Sequence, residues 1–175
     1  ELGMGSPSYR NATGLPDPEH YTTATDILKL ANAIIREFPD YYRWYSEKEF
    51  TWNGITQSNR NGLLWRDSTV DGMKTGFTDT AGYCLVSSAL RDDMRLVAVV
   101  LGTDSPAARE RESQTLLNYG YRFYETKLLL PGGKALSEAR VWKGETELVD
   151  VGVRRNVWVT VPRGTVGQLK PTYTL

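Results

Sequence analysis

The sequence predicts an α/β protein of the α+β kind, an antiparallel sheet covered by helices and followed by a small all-β domain. Three observations carry that reading. Residues 23 to 38 repeat apolar side chains at helical spacing, residues 71 to 102 hold three strand-like runs joined by short turns, and after residue 131 short strands alternate with turn residues. With 175 residues the chain has room for one domain, or for one domain and part of another.

The first helix rests on Ile27, Leu30, Ala31, Ile34, Ile35 and Phe38, one apolar stripe at i, i+3, i+4, i+7 spacing. Thr23 is placed to cap it, with Asp26 three residues on, and Pro39 stops it. The aromatic piece from Asp40 to Tyr45 reads as one or two further helical turns. Glu49 to Trp52 and Ile55 to Ser58 flank Asn53-Gly54, the strongest short hairpin signal. Asn59-Arg60-Asn61-Gly62 is a polar turn leading into Leu63-Leu64-Trp65.

Three strands follow, at about 71–78, 82–90 and 94–102, with Arg91-Asp92-Asp93 as a tight turn; connections this short imply an antiparallel meander. Met94 to Leu101 is apolar enough for a central strand buried on both faces. Ser105-Pro106 opens a helix running to about Tyr124, with Leu116, Leu117, Gly120 and Phe123 on its apolar side. Beyond Leu128 to Gly133, strands are expected at 139–143, 148–151, 156–161 and 169–175. The expected division is therefore residues 1–130 and 131–175. Glu1 to Gly5 resembles the tail of a helix with a glycine stop, and the last residues resemble a strand, so both ends read as cut from something longer.

Composition removes several function classes. With 21 basic and 21 acidic residues the net charge is zero, which leaves no basic field for nucleic acid. One histidine, His20, and one cysteine, Cys84, fall short of the about three or four protein ligands of a zinc site, and no metal or cofactor is expected. A Ser-His-Asp triad would have to pass through His20, which lies in the loop-like run from Pro16. Cys84 sits in an apolar strand pattern and is expected to be a small buried side chain. No run of about 18 apolar residues suggests a membrane span.

One triplet stands out. Lys74-Thr75-Gly76 puts a cation, a hydroxyl and a glycine in succession at a strand, a device for holding a carboxylate beside a reacting acyl group. The ammonium supplies positive potential, and the hydroxyl can donate or relay a proton. Glycine lets a substrate backbone pair along the strand edge, and the next backbone N–H, on Phe77, could donate into an oxyanion hole. By chance such a triplet occurs in roughly one chain of this length in twenty-five. Alone it weighs no more than a strand starting at a solvated turn.

Its surroundings weigh more. The segment VDGMKTGFTDTAGYCLVSSA runs into MRLVAVVLG; upstream stand NATGLPDPEHYTTATDILKLANAIIREFP and EKEFTWNGITQSNRNGLLW, and downstream RERESQTLLNYGYRFYET. Lys-Thr-Gly is one of the marks of penicillin-binding proteins and active-site serine β-lactamases. Together these segments closely resemble the low-molecular-mass penicillin-binding proteins that act as D-alanyl-D-alanine carboxypeptidases. The likeness extends through RVWKGETELVDVG and VTVPRG into that family's β-rich second domain.

The resemblance implies a β-lactamase/transpeptidase-like antiparallel sheet with helices and no cofactor. It also implies serine acyl transfer: a Ser-x-x-Lys serine attacks the bond between the two terminal D-alanines of a peptidoglycan stem peptide, and β-lactam antibiotics mimic that substrate. Lys74 and Thr75 would bind the substrate carboxylate, Gly76 would permit close approach, and Phe77 would lend its backbone N–H rather than its side chain. Arg109 would hold the terminal carboxylate. It falls near the first turn of the helix capped by Ser105, where a cation is otherwise disfavoured, and its alternative is a solvated pair with Glu112. Arg60, in the NRNG turn, is a further substrate-binding candidate whose alternative is a structural ion pair. The parent protein would sit in the bacterial periplasm, peripherally attached to the inner membrane.

The departure is equally plain. None of the 175 residues forms a Ser-x-x-Lys or a Ser-x-Asn. Tyr9-Arg10-Asn11 has the Tyr-x-Asn form of some relatives but leads into ATGLPD, which matches a different segment. The expected nucleophile and its lysine lie outside this sequence, in a missing N-terminal half of the catalytic domain, and the chain by itself is expected to be inactive. Two other readings compete: a non-catalytic peptidoglycan-binding module, and a β-lactamase relative, against which the β-rich region from 131 argues.

Overall fold

A computed structural model describes residues 2–170 and Thr172. The chain divides into two compact units, residues 1–120 and 121–175.

In the first unit α1 spans Ala24–Glu37. The Thr23 hydroxyl accepts the Asp26 backbone N–H at 3.1 Å and donates to the Asp26 carboxylate at 2.9 Å, closing the expected cap. After Pro39 come a single turn, α2 (Pro39–Tyr42), and a 3-10 turn (Arg43–Ser46). Strands β1 (Glu49–Trp52) and β2 (Ile55–Ser58) form the hairpin. Asn53 and Gly54 take φ of 49° and 75°, the paired left-handed residues of a tight turn whose twist matches the strands. A short helix, α3 (Leu63–Arg66), follows the NRNG turn.

The sheet is β3 (Val70–Thr78), β4 (Gly82–Arg91) and β5 (Met94–Thr103), in the order β3-β4-β5 and antiparallel throughout. Asp92 and Asp93 make the β4–β5 turn at φ of 46° and 63°. One expectation is corrected here. Among the described residues β5 is an edge strand, with Leu101 exposed, and β4 holds the centre, where Leu85 and Ala89 are fully buried. An apolar run reports demand for burial; it does not report how many strands are present to supply it.

Helix α1 covers one face of this sheet, where Ala31, Tyr42 and Met73 form a buried cluster with Val86 and Val97 packed against it. Helix α4 (Pro106–Phe123) lies toward the other face. Strand alternation turns Leu96 away from the Val97 side, and Leu96 closes on Gly120 of α4 so tightly that a Cβ there would have to displace the Leu96 methyl. The Ser105 hydroxyl accepts the Ala108 N–H at 3.1 Å, capping α4 as expected.

The Asp67 carboxylate ties α3, β4 and α4 together. It accepts from the Thr69 hydroxyl (2.6 Å), Arg91 (2.6 Å) and Gln114 (3.0 Å). Burial works against its charge, but these hydrogen bonds and the Thr69 N–H outweigh burial and lower its pKa to about 2. A carboxyl depressed from its unfolded value of about 3.9 stabilises the fold above that pH and loses the contribution as pH falls toward 2. We expect Asp67→Asn to remove about 1–2 kcal/mol at neutral pH after solvent screening. The urea midpoints of variant and parent should converge between about pH 4 and pH 2; a constant gap across that range would contradict the assignment.

The second unit holds two antiparallel pairs. Strand β6 (Tyr124–Leu130) pairs with β9 (Val157–Pro162), and β7 (Ala135–Arg140) pairs with β8 (Leu148–Gly152). Its first paired strand thus lies upstream of residue 131. The strand expected at 139–143 ends at Arg140, because Lys143 adopts a φ of 62° and Val141 N–H closes a turn on Glu147 O. Of the strand expected at 169–175, Leu169 and Lys170 are irregular and 171 and 173–175 lie outside the described residues. Within this unit Arg163 donates to the carbonyls of Tyr121 (2.7 Å), Tyr124 (3.2 Å) and Arg122 (3.3 Å), which lead into β6. At the N-terminus Leu2 to Gly5 contains no helix.

Candidate functional site

Lys74-Thr75-Gly76-Phe77 lies in the middle of β3, and among the described residues the outer edge of β3 pairs with no other strand. The triplet borders a cleft of about 840 Å³ shared with Arg60, Tyr83, Cys84 and Arg109. Other hollows of about 530 and 740 Å³ dent the surface, and volume alone does not mark a site. The convergence of an ammonium, a hydroxyl and a guanidinium does.

Lys74 is exposed, and its ammonium donates to the Thr75 carbonyl on its own strand. Arg109 is the opposite case, 5% exposed although it carries a charge. Its two terminal nitrogens donate to Gly76 O at 3.3 Å and Arg60 O at 3.2 Å, and its Nε has no partner among the described residues. A guanidinium has five N–H donors, so the two carbonyls fix its plane and leave donors over for an anion. The alternative pairing with Glu112 is absent: Arg111 takes Glu112, at 2.9 Å.

Gly76 faces the cleft with no steric demand from the protein. A Cβ there would touch only Cys84 Cβ, at an ordinary 3.8 Å. Cys84 itself is half-buried, a correction to the expected burial. Its position on β4 opposite Gly76 puts it on the cleft wall, where its sulfur accepts the Gly102 N–H at 3.4 Å.

The Phe77 side chain has more to do than the sequence suggests. Its ring stacks on Tyr83 with centroids 4.2 Å apart, and the Arg109 guanidinium sits 5.6 Å from the Tyr83 ring centroid. Arg60 joins through its backbone: its carbonyl, not its guanidinium, is what holds Arg109. His20 stays in its loop, its Nδ1 accepting the Arg10 N–H at 3.2 Å. Asn11 is consumed by its own turn, accepting from Gly14 N–H at 2.8 Å and donating to Leu15 O at 3.0 Å. Among the described residues no three His, Cys, Asp or Glu side chains converge as metal ligands.

Two residues near the cleft escaped the sequence reading. Asn61 is fully buried; its amide donates to Gly72 O at 3.0 Å and accepts the Leu63 N–H at 3.2 Å. Glu110 is buried beside Arg109, accepting the Gly62 N–H at 3.2 Å and pairing with Arg66 at 3.0 Å. In the sequence Asn61 is one polar residue of a turn, and Glu110 one charge in the run Arg109 to Glu112.

Residues 1–105 match the family described as D-alanyl-D-alanine carboxypeptidase, and residues 124–175 match the C-terminal domain of penicillin-binding protein 5. D-alanyl-D-alanine carboxypeptidase DacA of Escherichia coli K12 is 45% identical over 175 residues, 99% of this chain and 43% of that protein. The crystal structure of penicillin-binding protein 5 from Haemophilus influenzae superposes with a TM-score of 0.88 at 43% identity, covering 99% of this chain and 51% of that one. Penicillin-binding protein D2 from Listeria monocytogenes, solved in an ampicillin-bound form, gives a TM-score of 0.64 at 31% identity over 69% of this chain and 51% of that one. The chain thus spans less than half the length of the curated relative it matches.

Proposed function

This chain belongs to the D-alanyl-D-alanine carboxypeptidase family, and we propose that it forms the carboxylate-holding wall of a serine-type enzyme that removes the terminal D-alanine of peptidoglycan stem peptides. The observation that carries the reading is the meeting of Lys74, Thr75 and the buried Arg109 in one cleft along a strand edge that is unpaired among the described residues.

In this reading the peptide, or a β-lactam in its place, lies along β3 as an added strand, close over Gly76. Its terminal carboxylate meets the Lys74 ammonium, the Thr75 hydroxyl and the uncommitted donors of Arg109. Together they hold the scissile carbonyl in place, and the Phe77 N–H helps stabilise the oxyanion that forms there. The attacking serine and its lysine come from a Ser-x-x-Lys segment outside these 175 residues. That serine forms an ester to the acyl group as D-alanine leaves, and water then cleaves the ester. The ampicillin-bound relative supports β-lactams as ligands. The catalytic portion gives way to the β-rich domain between residues 121 and 131, and the whole protein works in the bacterial periplasm, held at the inner membrane from outside this segment. Among the described residues no helix is long and apolar enough to cross a membrane.

The 175-residue chain incubated with a fluorescent penicillin should carry no label that survives denaturation. The complete protein, with its Ser-x-x-Lys segment, should take up one equivalent. A stoichiometric, denaturation-resistant label on the isolated chain would overturn the division of labour.

A further inference from the structure

A closed circuit of hydrogen bonds runs around the triplet. From Gly72 O on β3 it passes to the Asn61 amide, along the Arg60–Gly62 turn to Arg60 O, and through the Arg109 guanidinium back to β3 at Gly76 O. A second tie joins the same turn to α4, from Gly62 N–H to the Glu110 carboxylate. The circuit meets β3 at residues 72 and 76, on either side of Lys74 and Thr75. The turn is therefore the part that sets how far the guanidinium stands from the triplet.

Burial shows how tightly it is set. Asn61 is wholly enclosed, with both ends of its amide used. A Cβ on Gly62 would come within 2.5–2.8 Å of the Glu110 carboxylate, so any side chain there would displace the carboxylate that Gly62 N–H donates to. Glu110 itself is held from the other side by Arg66 at 3.0 Å.

We propose that Asn61 and Glu110 are positioning residues for carboxylate recognition: they touch no substrate, but they lock the Arg109 guanidinium in register with Lys74 and Thr75. The proposal rests on the reading of that cleft as the carboxylate site. A misplacement of about 1 Å in such a site can cost on the order of 10²-fold in rate. The loss should fall on substrates that present a carboxylate, and not on those that lack one.

The test compares, in the complete protein, kcat/KM for a D-alanyl-D-alanine peptide with that for the same peptide carrying a C-terminal amide. Asn61→Asp keeps shape and acceptor but removes the donor to Gly72 O; Glu110→Ala removes the acceptor for Gly62 N–H. Both should lower the acid-over-amide preference by roughly 10-fold to 100-fold. Glu110→Gln, which keeps an oxygen for Gly62, should restore the preference lost in Glu110→Ala. Thermal unfolding of each variant reports folding independently of the ratio. Acid and amide activities falling together, in step with the folded fraction, would overturn the proposal and leave both residues merely structural. Arg109→Ala run alongside separates the two levels. If it leaves the preference unchanged, the carboxylate reading itself fails and the proposal falls with it. If it abolishes the preference while Asn61→Asp and Glu110→Ala do not, only the positioning role fails.

Discussion

Replacing Lys74 with Ala in the complete protein is expected to lower kcat/KM for a D-alanyl-D-alanine peptide by on the order of 10²–10³-fold, equivalent to about 2.7–4 kcal/mol of transition-state stabilisation. The ammonium is the mobile positive charge of the cleft. It is exposed and, among the described residues, donates only to its own strand at Thr75 O, so turning onto an incoming carboxylate breaks no tertiary hydrogen bond among them. The same placement makes the variant a clean test. An exposed strand lysine with no packing role changes stability within about 0.5 kcal/mol when removed, so the melting temperature should hold while catalysis collapses. Lys74→Arg should recover little, because a planar fork cannot occupy the place of a compact, rotatable ammonium. The acylation rate with a fluorescent penicillin should fall in parallel with peptide hydrolysis. A loss of less than about threefold in both would remove Lys74 from the mechanism.

Much of this site was legible because its chemistry is local. Lys74-Thr75-Gly76 is contiguous, the Asn53-Gly54 hairpin follows from two adjacent left-handed residues, and Ser105-Pro106 announces the helix that carries Arg109. What escaped depends on partners distant in sequence. The Arg109 side chain is held by two backbone carbonyls, 33 and 49 residues away, and no pattern of side chains announces a carbonyl. The alternative that helical spacing offered for Arg109, a pair with Glu112 at i+3, does not form, because Glu112 belongs to Arg111. Asn61 and Glu110 carry charge or polarity of the kind usually solvated; only the fold reveals that they are enclosed and satisfied. The same logic covers β5, whose apolar run is easily read but whose edge position is a property of pairing. It also covers β6, whose Leu128 meets its partner Trp158 only across the length of the second unit.

The largest stability effect is expected at Arg95, the hub of a network that anchors β3 just before the triplet. Its guanidinium grips the Asp71 carboxylate through two bonds of 2.8 and 2.7 Å, donates to the Ser88 hydroxyl at 2.6 Å, and lies 5.4 Å from the Tyr42 ring centroid. Tyr42 completes the arrangement by donating to Asp71 at 2.6 Å; burial, then this carboxylate, hold its hydroxyl protonated far above the ordinary tyrosine range. Asp71 sits where the β3–β4 register slips, between Val70 and Gly72, so its backbone lacks the ladder that steadies its neighbours. The side-chain network stands in for that ladder. Arg95→Met would keep much of the volume but leave Asp71, among the described residues, with Tyr42 as its hydrogen-bond partner, a half-buried carboxylate without its cation. Removing one member of a buried pair costs about 3–5 kcal/mol, and the partial exposure of this one points to about 2–3. Asp71→Asn alone should cost less, because the amide still accepts from Tyr42 and needs no counter-charge. Combining the two should recover part of the Arg95→Met loss, giving a coupling energy of at least about 1 kcal/mol by urea unfolding. Strict additivity would mean that the two residues act independently and that the network is an arrangement of neighbours rather than a unit. Because the network anchors the strand next to Lys74, the folded fraction of Arg95→Met should also acylate more slowly than the parent, which ties the stability of β3 to the reach of the ammonium it carries.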